Sequence, residues 1–323
     1  MKVPERVLSV IPALLLAVPI FAQAPVPVGV IWQERGDASA LDLVGGPGGK
    51  DHEPGSTFTF IEESSGGTSP KFDVRDEHGI KWKVKLGEEA KSENAAARLL
   101  WAAGYLVDEI YYRSSIKVSG LPRLERGREF VSEGDVVSGA RLEREREPGR
   151  STTWSWYDNP FVGTREFNGL KVMMALINNW DLKDVNNRVS HSAGGEGLYG
   201  VTDVGATFGR TGNVITRSKS VSKDYEETKF IEEVTAEHVD FVLQSRPFFP
   251  LVVHLPAYRS RTRMESIVKG IPIDDARWVG NRLGQLSVAQ INDCFRASGF
   301  SPSDVEAYTR VVMQRIALLK MLE

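Results

Sequence analysis

The sequence predicts an α+β protein: a strand-rich first half holding one helix, a charged linker, then a mostly helical second half. Three observations carry this. Between Thr57 and Leu86, three short alternating runs are separated by turn residues. Ala90 to Ala103 is rich in Ala and Leu and is followed by Gly104, a helix and its stop. Beyond Arg165, apolar residues such as Leu170, Met173, Met174 and Ile177 recur at helical spacing.

At 323 residues the chain can bury a sizeable core in one or two domains. Its 41% hydrophobic and 26% charged residues exclude wholesale disorder and a polytopic membrane protein. A formal net charge of -3 gives no reason to expect a nucleic-acid partner. The lone cysteine, Cys294, cannot form an intramolecular disulfide and reads as a buried thiol on a helix face.

Residues 1–24 have the pattern of a secretory signal peptide. Lys2 and Arg6 precede an apolar run from Val7 to Phe21, and Ala22-Gln23-Ala24 offers a small-x-small cleavage site. The run is short of the ~20 residues a spanning helix needs. Cleavage near Ala24 would make the protein exported, periplasmic or secreted, with no transmembrane domain beyond that segment. Residues 25–55, rich in Pro, Gly and Asp, read as a flexible linker, with Val26 to Trp32 as an edge strand.

Thr57 to Ile61, Lys71 to Arg75 and Ile80 to Leu86 then form a three-stranded antiparallel meander. The first hairpin carries Gly66 and Gly67, whose backbone N–H groups could lie over phosphates or simply make the turn. In the third strand Lys81, Lys83 and Lys85 share one face, opposite Trp82, Val84 and Leu86. Lys85 is nearest the following helix, which is read as beginning near Ser92. Glu93 then falls in the first turn, to pair with Lys85 or to favour the helix dipole. Val107 to Tyr112 and Val136 to Leu142 read as two further strands, and Glu143 to Arg150 as the linker between halves.

In the second half, Arg165 to Asn178, Thr235 to Leu243, Ser287 to Ser298 and Ser301 to Leu322 read as helices. Leu198 to Thr202 is a short strand that presents Asp203 at its end. Gly209 to Lys229 is polar and aperiodic, and its Arg210, Arg217, Lys219 and Lys223 read as a solvated loop or an attractor for an acidic partner.

The chemistry-bearing stretch is Asp181-Leu182-Lys183-Asp184-Val185-Asn186, followed by Asp203-Val204-Gly205. Phosphoryl transfer needs these types: a carboxylate to orient a hydroxyl, a cation for the moving phosphoryl, and an amide and second carboxylate for a divalent metal. Each has a structural alternative: Asp181 as a cap, Asn186 in a turn, Asp203 in an Asx-turn before Gly205. Asp184 and Asn187 lie close by and offer the same chemistry.

Taken in order, the glycine hairpin, the strand lysine, the helix glutamate, D-x-K-x-x-N and D-x-G resemble the protein-kinase-like superfamily over about residues 56–323. That resemblance implies a bilobal fold. An antiparallel-sheet N-lobe with one helix would span 56–145, and a mostly helical C-lobe 150–323. It implies Asp181 and Lys183 as catalytic, Lys85, Glu93, Gly66 and Gly67 as nucleotide-binding, and Asn186 and Asp203 as metal-binding. The cofactors would be Mg2+ or Mn2+ with ATP or another nucleoside triphosphate, and the acceptor an unknown protein or small molecule. Asn179-Trp180 stands where most protein kinases have His-Arg, the glycine hairpin lacks a full G-x-G-x-x-G, and no Ala-Pro-Glu follows. These departures are nearer to atypical members: HipA-like, phosphoinositide-kinase-like or secreted kinases. The expected function is an exported kinase-like phosphotransferase. The alternative is a catalytically silent pseudokinase serving as a binding module at the cell envelope. Retention of Lys85, Asp181, Asn186 and Asp203 tilts the reading toward an enzyme.

Overall fold

The computed structural model describes residues 29–146, 151–211, 217–243 and 255–323. The expected signal segment and the 147–150 end of the linker therefore lie outside the described residues. Within them the protein is α+β. The first half forms β1 (Thr57–Ser64), β2 (Lys71–Asp76), β3 (Lys81–Lys85), α1 (Glu89–Ala102), β4 (Ile110–Ser119), β5 (Val131–Ser132) and β6 (Val136–Arg144).

These strands make a six-stranded sheet in the order β3-β2-β1-β4-β6-β5, and β3 also pairs with β6, so the sheet closes on itself. The expectation of an all-antiparallel sheet is corrected here: β1 and β4 run parallel, with Thr57 opposite Lys117. The chain reaches β4 only after crossing through α1, and such a crossover is what allows parallel neighbours. Closure buries residues on one face of β1, β2, β3, β4 and β6. Phe72, Val74, Trp82, Val84, Val118, Val137 and Leu142 fill the interior, each at most 1% exposed. Alternation therefore sends Lys81, Lys83 and Lys85 to the other face, as period-two geometry requires.

α1 packs its alanines and leucines into the second, larger core, shared with α2 (Arg165–Leu176), α5 (Ile273–Leu283), α6 (Val288–Ala297) and α7 (Pro302–Lys320), with α3 (Ser222–Glu226) and α4 (Leu255–Ser266) completing the helices. The helix begins at Glu89, not near Ser92, which moves Glu93 into the second turn. Gly104, with φ of 105°, follows its end. A Cβ there would meet Trp32 Nε1 at 2.2 Å, so the residue is a close-approach point as well as a stop.

That approach belongs to a further correction. The described part of the expected linker, from Gly29 onward, is packed. Trp32 Nε1 donates to Ala103 O at 2.8 Å, and Ile31 and Leu43 are buried. The fully buried Arg98 of α1 donates to the carbonyls of Leu43 and Val44 at 3.0 and 3.1 Å, tying the segment down. Pro and Gly content signalled irregular backbone correctly, but irregular backbone can still be satisfied by side-chain donors.

In the second half, β7 (Asn187–His191) and β8 (Gly197–Val201) form a hairpin, and β9 (Ile231–Val234), β10 (His238–Phe241) and β11 (Ile271–Pro272) a small sheet. The expected helix over Thr235 to Leu243 is thus corrected to a strand over His238–Phe241: the buried Val239 and Phe241 alternate with half-buried Asp240 and Val242, and pairing with β9 and β11 supplies the backbone partners that outweigh the helical reading. Cys294 is buried in α6, where its thiol lies 3.3 Å from Ala95 O and burial pushes its pKa up to about 12.

Candidate active site

The β7–β8 hairpin joins the two motifs of the second half. Asn187 pairs with Val201, and the Asn186 carbonyl accepts from the Thr202 amide at 2.8 Å and its hydroxyl at 3.1 Å. Asp203 follows directly, so strand register sets it beside Asn186. Its φ of 50° is left-handed, a region that Asp tolerates better than bulky residues. Gly205 then presses on α1: its carbonyl accepts from Ser92 Oγ at 2.7 Å, and an added Cβ would stand 2.7 Å from that of Glu89. The glycine of the triplet is there because the backbone must pass this close to the helix.

α2 is capped by Thr164, whose hydroxyl accepts from Phe167 N at 3.2 Å, and the chain leaves it through Asn178 at φ 55°. The Asn178 side chain donates to Gly209 O at 2.6 Å and the Trp180 amide to Ala206 O at 3.3 Å, stitching this loop to the segment after Asp203. Asn179 Oδ1 accepts from Asp181 N at 3.0 Å. The Asp181 carbonyl accepts from the Asn186 side-chain amide at 2.9 Å, and its carboxylate meets Lys183 Nζ at 2.7 Å. The two look-alike residues point elsewhere. Asp184 accepts from Trp156 N at 3.2 Å and Asn187 donates to Trp154 O at 3.0 Å, so both hold the 151–164 segment.

Lys85 connects the sheet to this hairpin. Its Nζ lies 2.5 Å from Asp203 Oδ1, 2.6 Å from Glu89 Oε2 and 2.9 Å from Glu93 Oε2, and its side chain is 1% exposed. Burial works to lower its pKa, but Glu93, Glu89 and Asp203 outweigh that, against Arg141, and hold the ammonium above its usual range. For Glu89 burial works upward, and Lys85 and Lys219 bring its carboxyl down to about 2. Of the other two lysines on this face, Lys83 is exposed and Lys81 pairs with Asp73 at 3.0 Å and Glu145 at 3.1 Å.

Four neighbours are not assigned to the site by the sequence. Glu89 was passed over because the helix was read as starting later; a carboxylate four residues after Lys85 was the available signal. Arg141 on β6 stands opposite Lys85 and reaches Glu93 Oε2 at 3.2 Å. Lys71 on β2 also stands opposite Lys85; burial and then the like charge of Lys85 lower its pKa. Lys219 pairs with Glu89 and lies 5.4 Å from the Trp180 ring centre, so it is not the solvated loop residue expected.

Gly66 and Gly67 sit at the rim. Arg126 holds the carbonyls of Ser64 and Gly67 at 2.9 and 2.8 Å, and a Cβ on Gly67 would lie 3.4 Å from Lys71 Nζ. The hairpin thus reaches this site through Lys71. The oxygens of Glu89, Glu93 and Asp203 all lie within 4.8 Å of one another, a hard-oxygen set of the type that suits Mg2+ or Mn2+, with the Lys85 ammonium among them.

No family model and no curated protein matches this chain. Among solved structures, it is similar to the Helicobacter pylori proinflammatory kinase CtkA, at 11% identity and a TM-score of 0.46 over 83% of this chain and 95% of that one. It is also similar to the Golgi casein kinase, at 10% identity and a TM-score of 0.40 over 83% and 70% of the two chains. The Golgi casein kinase with Mn/ADP bound gives 10% identity and a TM-score of 0.37 over 84% and 74%. Likenesses this distant carry no functional argument; the residues of the site have to supply it.

Proposed function

We propose that the chain is a kinase-like phosphotransferase that moves a phosphoryl group from a nucleoside triphosphate to a hydroxyl acceptor. The observation that carries this is the convergence of Lys85 from β3, Glu93 from α1 and Asp203 from the end of β8, with Asp181, Lys183 and Asn186 one hairpin turn away. Phosphoryl transfer requires little covalent chemistry from a protein and much positioning, which this constellation provides.

In this reading Asp181 orients the acceptor hydroxyl and takes its proton, and Lys183 steadies charge on the transferred group. Lys85, fixed by Glu93, holds phosphate oxygens, with Lys71 beside it. Asp203 and the Asn186 amide oxygen would hold Mg2+ or Mn2+, which supplies charge neutralisation on the phosphates; Glu89 is the nearest further oxygen donor. The 56–145 and 150–323 parts correspond to the two lobes that such an enzyme closes around its nucleotide.

The test is thermal stabilisation of the protein by ATP with Mg2+ or Mn2+, repeated on Asp203→Ala, alongside transfer of labelled γ-phosphate to itself and to added acceptors. Nucleotide should raise the melting temperature in a metal-dependent way in the parent only. No stabilisation by any nucleoside triphosphate would sink the reading, and stabilisation without transfer would leave a binding module. Export belongs to the same proposal and is checked separately: the mature protein recovered outside the cytoplasm should lack about the first 24 residues.

A further inference from the structure

Along β3 the polar face runs from Lys85 at the site just described, through Lys83, to Lys81. Beyond Lys81 opens a groove of about 690 Å3, bounded by the ends of β2, β3 and β6, the β7–β8 hairpin and the N-terminal segment that carries Gln33, Arg35 and His52. This volume is in the range of small-molecule sites. Arg35, Arg75, Lys81, Arg144, Arg146 and Arg188 line it against only two lining carboxylates, Glu109 and Glu145, in a chain whose net charge is -3. The positive charge is therefore a local concentration and not a general basicity.

Partner by partner, the cations divide. Lys81 is committed to Asp73 and Glu145. Arg146 and Arg188 share Asp108 just outside the groove. Glu109 is taken by His52 at 2.8 Å and stands 3.8 Å from Arg144. The Arg35 guanidinium donates to the carbonyls of Trp101 and Tyr105, both at 3.3 Å, beside the Trp101 ring, and that of Arg75 to Gly79 O at 2.8 Å. Arg35 and Arg75 thus face one groove with guanidinium N–H groups to spare and, among the described residues, no ion pair, while Arg144 beside them meets a carboxylate only at the 3.8 Å of Glu109, which His52 already holds. Guanidinium forks match phosphate oxygens in geometry and charge, and like charges in a concave wall focus the field on an anion.

We propose that this groove is a second anion site that binds a small molecule carrying several phosphate groups. It is separate from the Asp203 site: Lys81 and Lys85 stand about 13 Å apart along the strand.

Inorganic tripolyphosphate is the probe, titrated by calorimetry into the full chain in chelator, so that no metal bridges the anion to Asp203. The parent and Asp203→Ala should bind alike. Arg75→Gln with Arg144→Gln should weaken binding at least about tenfold, the loss expected for a charge-assisted contact, and binding should fall steeply with salt. Should the double variant fail to fold, Arg75→Gln alone, at an exposed position, should still weaken binding severalfold with its melting temperature unchanged. No binding at millimolar probe, full binding by the arginine variants, or loss of binding in Asp203→Ala would each overturn the proposal.

Discussion

Lys81 and Lys85 are the same residue on the same face of the same strand, and the molecule treats them differently. Lys81, with 24% of its side chain exposed, pairs with Asp73 and Glu145 at the open end of the sheet. Lys85, 1% exposed, is enclosed by three carboxylates drawn from α1 and from the end of β8. Alternation assigned both to the polar face. What separates them is that α1 and the Asp203 turn close over one end of β3 only. A buried ammonium is tolerable only when its charge is compensated, so Lys85 and its carboxylates hold the sheet and the β7–β8 hairpin together as one unit.

The contrast is tested most severely by Lys85→Met. Removing the cation takes from Asp203 its ammonium partner and leaves Glu89 and Glu93 with Lys219 and Arg141 alone, which should cost about 3–5 kcal/mol in denaturant unfolding and about 1000-fold in phosphoryl transfer. Near-native stability and turnover in that variant would break the comparison outright. A second pair of like residues sharpens it. Asp181→Asn should lower turnover about 100- to 10,000-fold, whereas Asp184→Asn, whose parent carboxylate caps Trp156 N, should leave turnover near that of the parent and show a lower melting temperature.

Glu89 gives the pH dependence. Its carboxyl is depressed from 4.5 to about 2, chiefly by Lys85 and Lys219 against the effect of burial. A depressed carboxylate contributes stability above its unfolded value and loses it as pH falls through the folded one. Stability should therefore fall between about pH 4.5 and 2, by about 3 kcal/mol for this group. Glu89→Gln should flatten that part of an acid-unfolding profile; an unchanged profile would mean that the Lys85 enclosure does not need it. Lys85, held above its usual range, has the opposite sign: its contribution is complete at neutral pH and is lost only on strong alkalinisation.

Gly205→Ala should cost about 1–3 kcal/mol, the range for forcing a methyl into a packed contact, because its Cβ would press on Glu89. Smallest of all, Lys81→Met should change stability by less than about 1 kcal/mol, as partly exposed ion pairs do. A large loss there would erase the distinction between the two ends of β3.

Much of the site was legible because its parts are short-range. Asp181, Lys183 and Asn186 belong to one loop, Asp203 and Gly205 to the next, and the register of one hairpin joins them. The Lys85–Glu93 pair was legible because both lie on either side of one strand-to-helix turn. Less was legible where long-range partners decide. Arg141 and Lys71 became part of the site only through pairing of β6 and β2 with β3. Lys219 read as a solvated loop residue until its segment was placed against α1. The helix expected over Thr235 to Leu243 became β10 because the neighbouring β9 and β11 supply backbone partners that periodicity over a few residues cannot reveal.

The sequence by itself determined the α+β class, the polar face of β3 and the residue types set aside for phosphate and metal, since these follow from local alternation and spacing. Only the tertiary structure decided which lysine is enclosed, that β1 and β4 run parallel in a sheet that closes, and that the segment from Gly29 is a wall and not a tether. Each of these depends on which distant groups compensate a buried charge or an unpaired backbone dipole, and that is a property of the packed chain.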